Sequence, residues 1–195
     1  MNIAASGSQL KMIRERLSVK NNWTIRETKK SDAQAIFSLL FVSWLDTYVN
    51  NKIGVTEEFI IESEIHRLTY DFYKNGCKYE YFENTKDNMH LVAIDDNDII
   101  VGFVHCRREE GKQYLNGLYL YPEFKGSGLA QDFAKIFLEW ENKEMNTELG
   151  VVEYNARAIT FYERLGFEPN GVKYMVKEKI TCIDMVKKNI ESKKV

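Results

Sequence analysis

One junction constrains this chain more than any other. Residues 121–130 read Tyr121-Pro122-Glu123-Phe124-Lys125-Gly126-Ser127-Gly128-Leu129-Ala130. Before them, Gln113 to Tyr121 reads as a strand that stops at Pro122. After them, Leu129, Phe133, Ile136, Phe137 and Trp140 fall on one stripe of a long amphipathic helix. The segment thus joins a strand to the start of a helix through two glycines. The first N–H groups of a helix have no intrahelical acceptor, and the aligned peptide dipoles favour an anion there. Glycine lets phosphate oxygens approach the backbone closely, and Lys125 adds a positive charge. A phosphate or pyrophosphate is the natural ligand. The P-loop pattern G-x-x-x-x-G-K-[ST] is absent, and Gln131 stands where a dinucleotide fingerprint needs its third glycine. The plain alternative is a turn that only reverses the chain.

The remaining elements follow from periodicity. Trp23 to Glu27 alternates as a strand; Ser31-Asp32 opens a helix carrying Ile36, Leu39, Leu40 and Trp44, and Gly54 breaks it. Thr56-Glu57-Glu58 starts a second helix, with Phe59, Ile60, Ile65, Leu68 and Phe72 carrying it to about Lys74 and Asn75-Gly76 ending it. Met89 to Asp95, Ile99 to Arg107 and Gln113 to Tyr121 form a meander with turns at Asp95–Asp98 and Gly111. Past the glycine turn and its helix come a strand from Leu149 to Tyr154, a helix from Asn155 to Leu165 capped by Gly166, and strands over Val172–Val176 and Ile180–Met185. The order β-α-α-β-β-β-α-β-α-β-β predicts one α/β (α+β) domain, a central mixed and mostly antiparallel sheet flanked by helices. Residues 1–22 lack a core pattern and read as an N-terminal extension or short helix; residues 23–195 read as the domain.

Charge and residue chemistry exclude several functions. With 27 basic and 29 acidic side chains the net charge is -2, so no general affinity for nucleic acid or anionic lipid is expected. No apolar run approaches the ~18 residues of a membrane span, and the N-terminus has no signal pattern. A cytoplasmic location is the resulting expectation. Cys77, Cys106 and Cys182 are odd in number and widely spaced, and His66, His90 and His105 lack ligand spacing. Buried reduced thiols and structural histidines are expected, with no metal.

A second segment, Asn155-Ala156-Arg157-Ala158-Ile159-Thr160-Phe161-Tyr162-Glu163-Arg164-Leu165-Gly166-Phe167, narrows the field. With the glycine turn it resembles the GNAT superfamily, the acetyl-CoA-dependent N-acetyltransferases. The family pattern [QR]-x-x-G-x-[GA] is met by Lys125-Gly126-Ser127-Gly128-Leu129-Ala130, with Lys in the first place. The pattern N-x-x-A-x-x-F-Y-E-x-x-G-F is met at Asn155, Ala158, Phe161, Tyr162, Glu163, Gly166 and Phe167. Lys125 keeps the charge of an Arg but not its bidentate fork, which predicts weaker cofactor affinity.

The resemblance implies that acetyl-CoA, or coenzyme A, lays its pyrophosphate on backbone N–H groups from Lys125 through Gly126, Ser127, Gly128, Leu129 and Ala130. Its pantetheine arm would pair with the strand at Leu118, Tyr119 and Leu120, which the family splays from the next strand. Asn155 would bind the arm, and Tyr162 would protonate the leaving thiolate. A backbone N–H near Leu120 would hold the oxyanion. Arg157 and Glu163 read as solvated helix charges. Where some family members carry a glutamate on the cofactor strand, this chain has Tyr114-Leu115-Asn116; the base is left open among Tyr114, Asn116, a water chain, Glu109 and Glu110.

For the acceptor, the early helices offer Trp44, Asp46, Tyr48, Glu57, Glu58, Glu62 and Glu64, with Lys52 the only base from Trp44 to Glu64. Acidic and aromatic walls suit a cationic amine such as spermidine. The layout is similar to PaiA-type polyamine acetyltransferases, and it is shared by enzymes acting on protein N-termini, ribosomal proteins, antibiotics and amino acids. Tyr114 and Asn116 complete the expected acceptor wall. Two other functional classes stay in play: a non-catalytic acyl-CoA-binding regulator on this fold, and a nucleotide- or phosphosugar-binding protein. A homodimer is expected from family habit alone.

Overall fold

The computed structural model describes residues 22–64 and 83–188. The far end of the second helix, Asn75-Gly76, Cys77, His66 and the N-terminal extension lie outside the described residues. Seven strands form one mixed sheet. They are β1 (Trp23–Glu27), β2 (Asn88–Asp95), β3 (Ile100–Glu109), β4 (Lys112–Leu120), β5 (Thr147–Val152), β6 (Glu168–Val176) and β7 (Ile180–Lys187), in the spatial order β1-β2-β3-β4-β5-β7-β6. Among the described residues four α-helices flank them: α1 (Ala33–Tyr48), α2 (Glu57–Glu64), α3 (Leu129–Trp140) and α4 (Ala156–Arg164).

The two faces of the sheet carry separate cores. On one, the α3 stripe Leu129, Phe133, Ile136, Phe137 and Trp140 packs with Phe167, Leu115, Leu149 and Met185, and α4 closes the same side through Tyr162. Asp132, buried on α3, is held by the Trp23 indole N–H at 3.3 Å and Lys135 at 2.8 Å. On the other face Ile36 and Leu39 of α1 meet Val92 and Phe103, and Val55 and Ile60 of the α2 region meet Val152, Ile180 and Cys182. Asp32, just before α1, accepts two bonds from the Arg26 guanidinium and one from the Lys29 N–H, closing the 3-10 turn Lys30–Asp32 that leads into the helix. Thr56 caps α2 through the Phe59 N–H.

The feature that positions a site is the seam between β4 and β5. These strands are parallel and share only the rungs Gln113↔Thr147 and Tyr114↔Glu148. Buried Gln113 makes this closed end: its amide donates to the Asn142 and Met145 carbonyls at 2.7 and 3.1 Å and accepts from the Asn142 N–H at 2.9 Å. Beyond Tyr114 the ladder stops. A bulge lies at Asn116, since His105 pairs with Gly117 and Cys106 with Leu115.

As far as the described residues reach, the expected strands and helices appear, several with ends moved by one to four residues. β5 starts two residues early because Gln113 draws the 142–146 loop against β4. β6 starts at Glu168, ahead of Val172, because an exposed edge strand tolerates Pro169. Among the described residues, no helix is long and apolar enough to cross a membrane. Nor does any group of three or more His, Cys, Asp or Glu stand ready to hold a metal.

Candidate active site

The gap between β4 and β5 opens into a cleft whose walls come from α1, β4, the glycine turn, β5, α4 and β7. Its β4 wall has an unpaired backbone edge. The Tyr121 N–H bonds the Val101 carbonyl of β3 at 3.1 Å, so alternation turns the N–H groups of Leu118 and Leu120 away from β3 toward the gap. The Leu120 carbonyl on that edge accepts the buried Ser43 hydroxyl at 2.9 Å. Ser43 thus fixes α1 to the open strand, a role the sequence did not announce. An extended amide-bearing chain fits such an edge as an added strand.

At the mouth stands the glycine turn. Gly126 and Gly128 have φ of 92° and 104°, in the left-handed region where a side chain is strained. A Cβ on Gly128 would meet nothing within 4 Å, so the space before α3 is open. The Asp132 N–H is the first to bond back along the helix, to the Gly128 carbonyl at 3.1 Å, and the Leu129 N–H is taken by the Ser127 hydroxyl at 3.3 Å. Two cations flank the turn. Lys125 bonds to the Asp46 carboxylate and, at 3.4 Å, to Thr47 on α1. Arg157 lines the cleft, and one of its terminal nitrogens lies 3.5 Å from where a Gly126 Cβ would stand. Arg157 is therefore a wall of the anion site, where the sequence suggested a solvated charge. The Lys125 and Ser127 N–H groups bond the Pro122 and Phe124 carbonyls at 3.1 and 3.3 Å, so it is the N–H groups of Gly126, Gly128 and Ala130, with two left-handed glycines and two cations, that fit the pyrophosphate of an acyl-CoA.

Deeper in, the two walls lose their Cβ atoms. The Tyr119 ring covers the place a Gly117 Cβ would take, and the Tyr174 hydroxyl occupies the place of a Gly150 Cβ. Tyr162 of α4 lines the same cleft and is buried, edge-on to Phe161 at 5.4 Å and Phe167 at 6.0 Å. Burial, and then the neighbouring Tyr119, push its phenol above the usual range, so it is a protonated donor at neutral pH. Tyr48 is pushed upward likewise by burial and by Tyr119, Cys182 and Tyr162. Asn155 lines the cleft, with its side-chain oxygen accepting the Ala158 N–H at 3.1 Å as the cap of α4.

The acceptor candidates separate. Trp44 and Tyr48 form one wall with ring centroids 5.5 Å apart, and Asn116 lines the gap at the bulge. Tyr114 stands at the closed end under the Arg107 guanidinium, 4.9 Å from its ring centre. Asp46 is held by Lys125 and buried Glu64 by Lys177, whose ammonium also lies 5.4 Å from the Trp44 ring. Glu109 is paired with Arg107 at 3.0 Å at the far end of β3.

Comparison with known proteins bears on this arrangement. Residues 47–189 match the model of the acetyltransferase (GNAT) domain. The chain is 27% identical over 107 residues to the peptidyl-lysine N-acetyltransferase YjaB of Salmonella typhimurium, covering 53% of this chain and 69% of the relative. It is 31% identical over 97 residues to N-alpha-acetyltransferase 30 of Schizosaccharomyces pombe, covering 46% of this chain and 63% of the relative. In structure it is similar to the PaiA N-acetyltransferase of Thermoplasma acidophilum in complex with coenzyme A, with a TM-score of 0.61, 20% identity, and coverage of 83% of this chain and 97% of the other.

Proposed function

Since the chain belongs to the acetyltransferase (GNAT) family and is an acetyl-CoA-dependent N-acetyltransferase, we propose that the β4–β5 cleft carries the transfer, with Tyr162 as general acid. The donor supplies an acetyl thioester whose departing sulfur needs a proton. The observation that carries the reading is the divergence of β4 from β5 after two rungs, with buried Tyr162 among the residues that line the gap. Leu118 and Leu120 offer N–H groups to the donor's amide arm, and the Leu120 N–H is placed for the oxyanion. The glycine turn, Lys125 and Arg157 receive the pyrophosphate. Phe161, Phe167 and Leu115 around Tyr162 exclude water, which strengthens each of these polar contacts.

The acceptor in this reading is a primary amine of low charge, such as a peptide α-amine or an amino compound, laid against Trp44 and Tyr48. This departs from the polycation suggested by the acidic stretch. Asp46 and Glu64 are answered by Lys125 and Lys177, which leaves the wall aromatic more than acidic. A polyamine is the second reading, favoured by the Lys177 ammonium at the Trp44 ring, which marks that ring as a place for a cation. A coenzyme A release screen over spermidine, amino acids, aminoglycosides, lysyl peptides and N-terminal peptides tests both. Turnover led by an α-amine or monoamine supports the first, and turnover led by spermidine replaces it with the second. No release with any amine, beside intact binding of coenzyme A, would point to a non-catalytic binder.

A further inference from the structure

Ser43 of α1 lines the cleft, and its hydroxyl takes a backbone carbonyl of the open β4 edge. We propose that this bond sets the register in which the donor's amide arm pairs with β4, which makes Ser43 a positioning residue for the thioester. The role deepens the function proposed above and rests on it.

The groups on the edge can be counted. Between the bulge at Asn116 and Pro122, β4 turns the N–H and carbonyl groups of Leu118 and Leu120 toward the gap. The Leu120 carbonyl is taken, since it accepts the Ser43 hydroxyl at 2.9 Å. Among the described residues no side chain bonds the Leu118 carbonyl. This stretch of edge therefore offers an added chain two N–H donors and a single carbonyl acceptor.

That imbalance selects a register. An added strand meets the same pair of groups every two residues, about 7 Å apart, so backbone pairing alone does not tell one register from the next. In a peptide, side chains alternating between the faces settle the choice. An arm of two amides joined by methylene groups carries no such pattern. With the Leu120 carbonyl closed, an amide N–H of the arm has the Leu118 carbonyl to meet. The thioester end has no N–H, so it loses nothing opposite the capped carbonyl.

The geometry of α1 is fitted to this task. A helical serine commonly donates to the carbonyl one turn back, as Ser38 does to Gln34 at 3.0 Å. Ser43 instead reaches a strand 77 positions away, and it is only 4% exposed. Asp46 and Thr47, three and four residues on, share its side of the helix, and both bond Lys125 of the glycine turn. One side of α1 thus grips the end of β4 and the turn that follows it, which holds the hydroxyl against Leu120.

The test compares wild type with Ser43→Ala and Ser43→Thr, by calorimetry with coenzyme A and by steady-state kinetics with acetyl-CoA and the best amine of the screen. Ser43→Ala opens the Leu120 carbonyl to the arm. The slipped register gains a hydrogen bond but holds the thioester out of place. Such unproductive binding lowers kcat and the acetyl-CoA KM together. Both should fall about fivefold, the scale of one net hydrogen bond, with the coenzyme A Kd about fivefold tighter and kcat/KM within about twofold of wild type. Ser43→Thr keeps the hydroxyl and should return these values toward wild type; if it is too bulky to fold, Ser43→Ala decides alone. A serine that only held α1 in place would, once removed, weaken coenzyme A binding and lower kcat/KM. That result, or an unmoved Kd, would overturn this role alone. A wild type that binds coenzyme A and turns over no amine would overturn the proposed function, and the Kd of Ser43→Ala would still decide the register.

Discussion

Two histidines in the sheet should make this protein fragile in mild acid. His90 of β2 and His105 of β3 are cross-strand partners with rings stacked 4.2 Å apart, and His90 is only 2% exposed. Burial lowers the His90 pKa to about 4, against a hydrogen bond with the Glu83 backbone. Burial, then His90 and Arg107, lower that of His105 to about 3. Both folded values lie below the unfolded 6.5, so below pH 6.5 the unfolded chain binds protons that the folded one refuses. The stability these residues contribute is present above pH 6.5 and is lost as pH falls toward their folded values. At pH 5 each neutral folded histidine forfeits about 2 kcal/mol, and the pair about 3–4 kcal/mol once partial exposure of His105 is discounted. That is a large part of the ~5–15 kcal/mol that holds a domain together. Urea unfolding at pH 7 and pH 5, followed by tryptophan fluorescence, measures it. Wild type should lose about 3–4 kcal/mol between the two, and His105→Phe, which keeps a stacked ring, about half that. Equal losses in wild type and His105→Phe would refute the reasoning.

Two other perturbations follow from the site's ion pair and from its closed end. Asp46→Asn frees Lys125 for the pyrophosphate. The pair is partly exposed and worth at most about 1 kcal/mol, so coenzyme A should bind up to about fivefold tighter by calorimetry, with the gain shrinking at high salt. Weaker binding would mean that Asp46 helps hold the ligand. Gln113→Leu leaves the Asn142 N–H and the Asn142 and Met145 carbonyls without their side-chain partner. It should cost about 2–4 kcal/mol in chemical denaturation, and unchanged stability would show that the closed end does not depend on this amide.

The glycine turn and the Asn155–Phe167 segment were legible because each is contiguous, and local backbone chemistry dictates its form. Periodicity sufficed for the elements because α3 and α4 each bury one clear stripe. What escaped depends on residues far apart in the chain. Asp46 and Glu64 read as an acidic wall until folding brought Lys125 and Lys177 to them across 79 and 113 positions. Arg157 was indistinguishable from a surface charge, since only the placement of α4 beside Gly126 brings it to the anion site. Gly150 looked like an ordinary strand glycine. Its meaning appears only when the order β5-β7-β6 brings Tyr174 over it.

The central claim is that Tyr162 donates a proton in the β4–β5 cleft without being needed to hold the donor. Kinetics and calorimetry on Tyr162→Phe test it most directly. The ring still packs against Phe161 and Phe167, so the coenzyme A Kd should stay within about threefold of wild type while kcat falls about 100-fold. An unchanged kcat with unchanged binding would contradict the account.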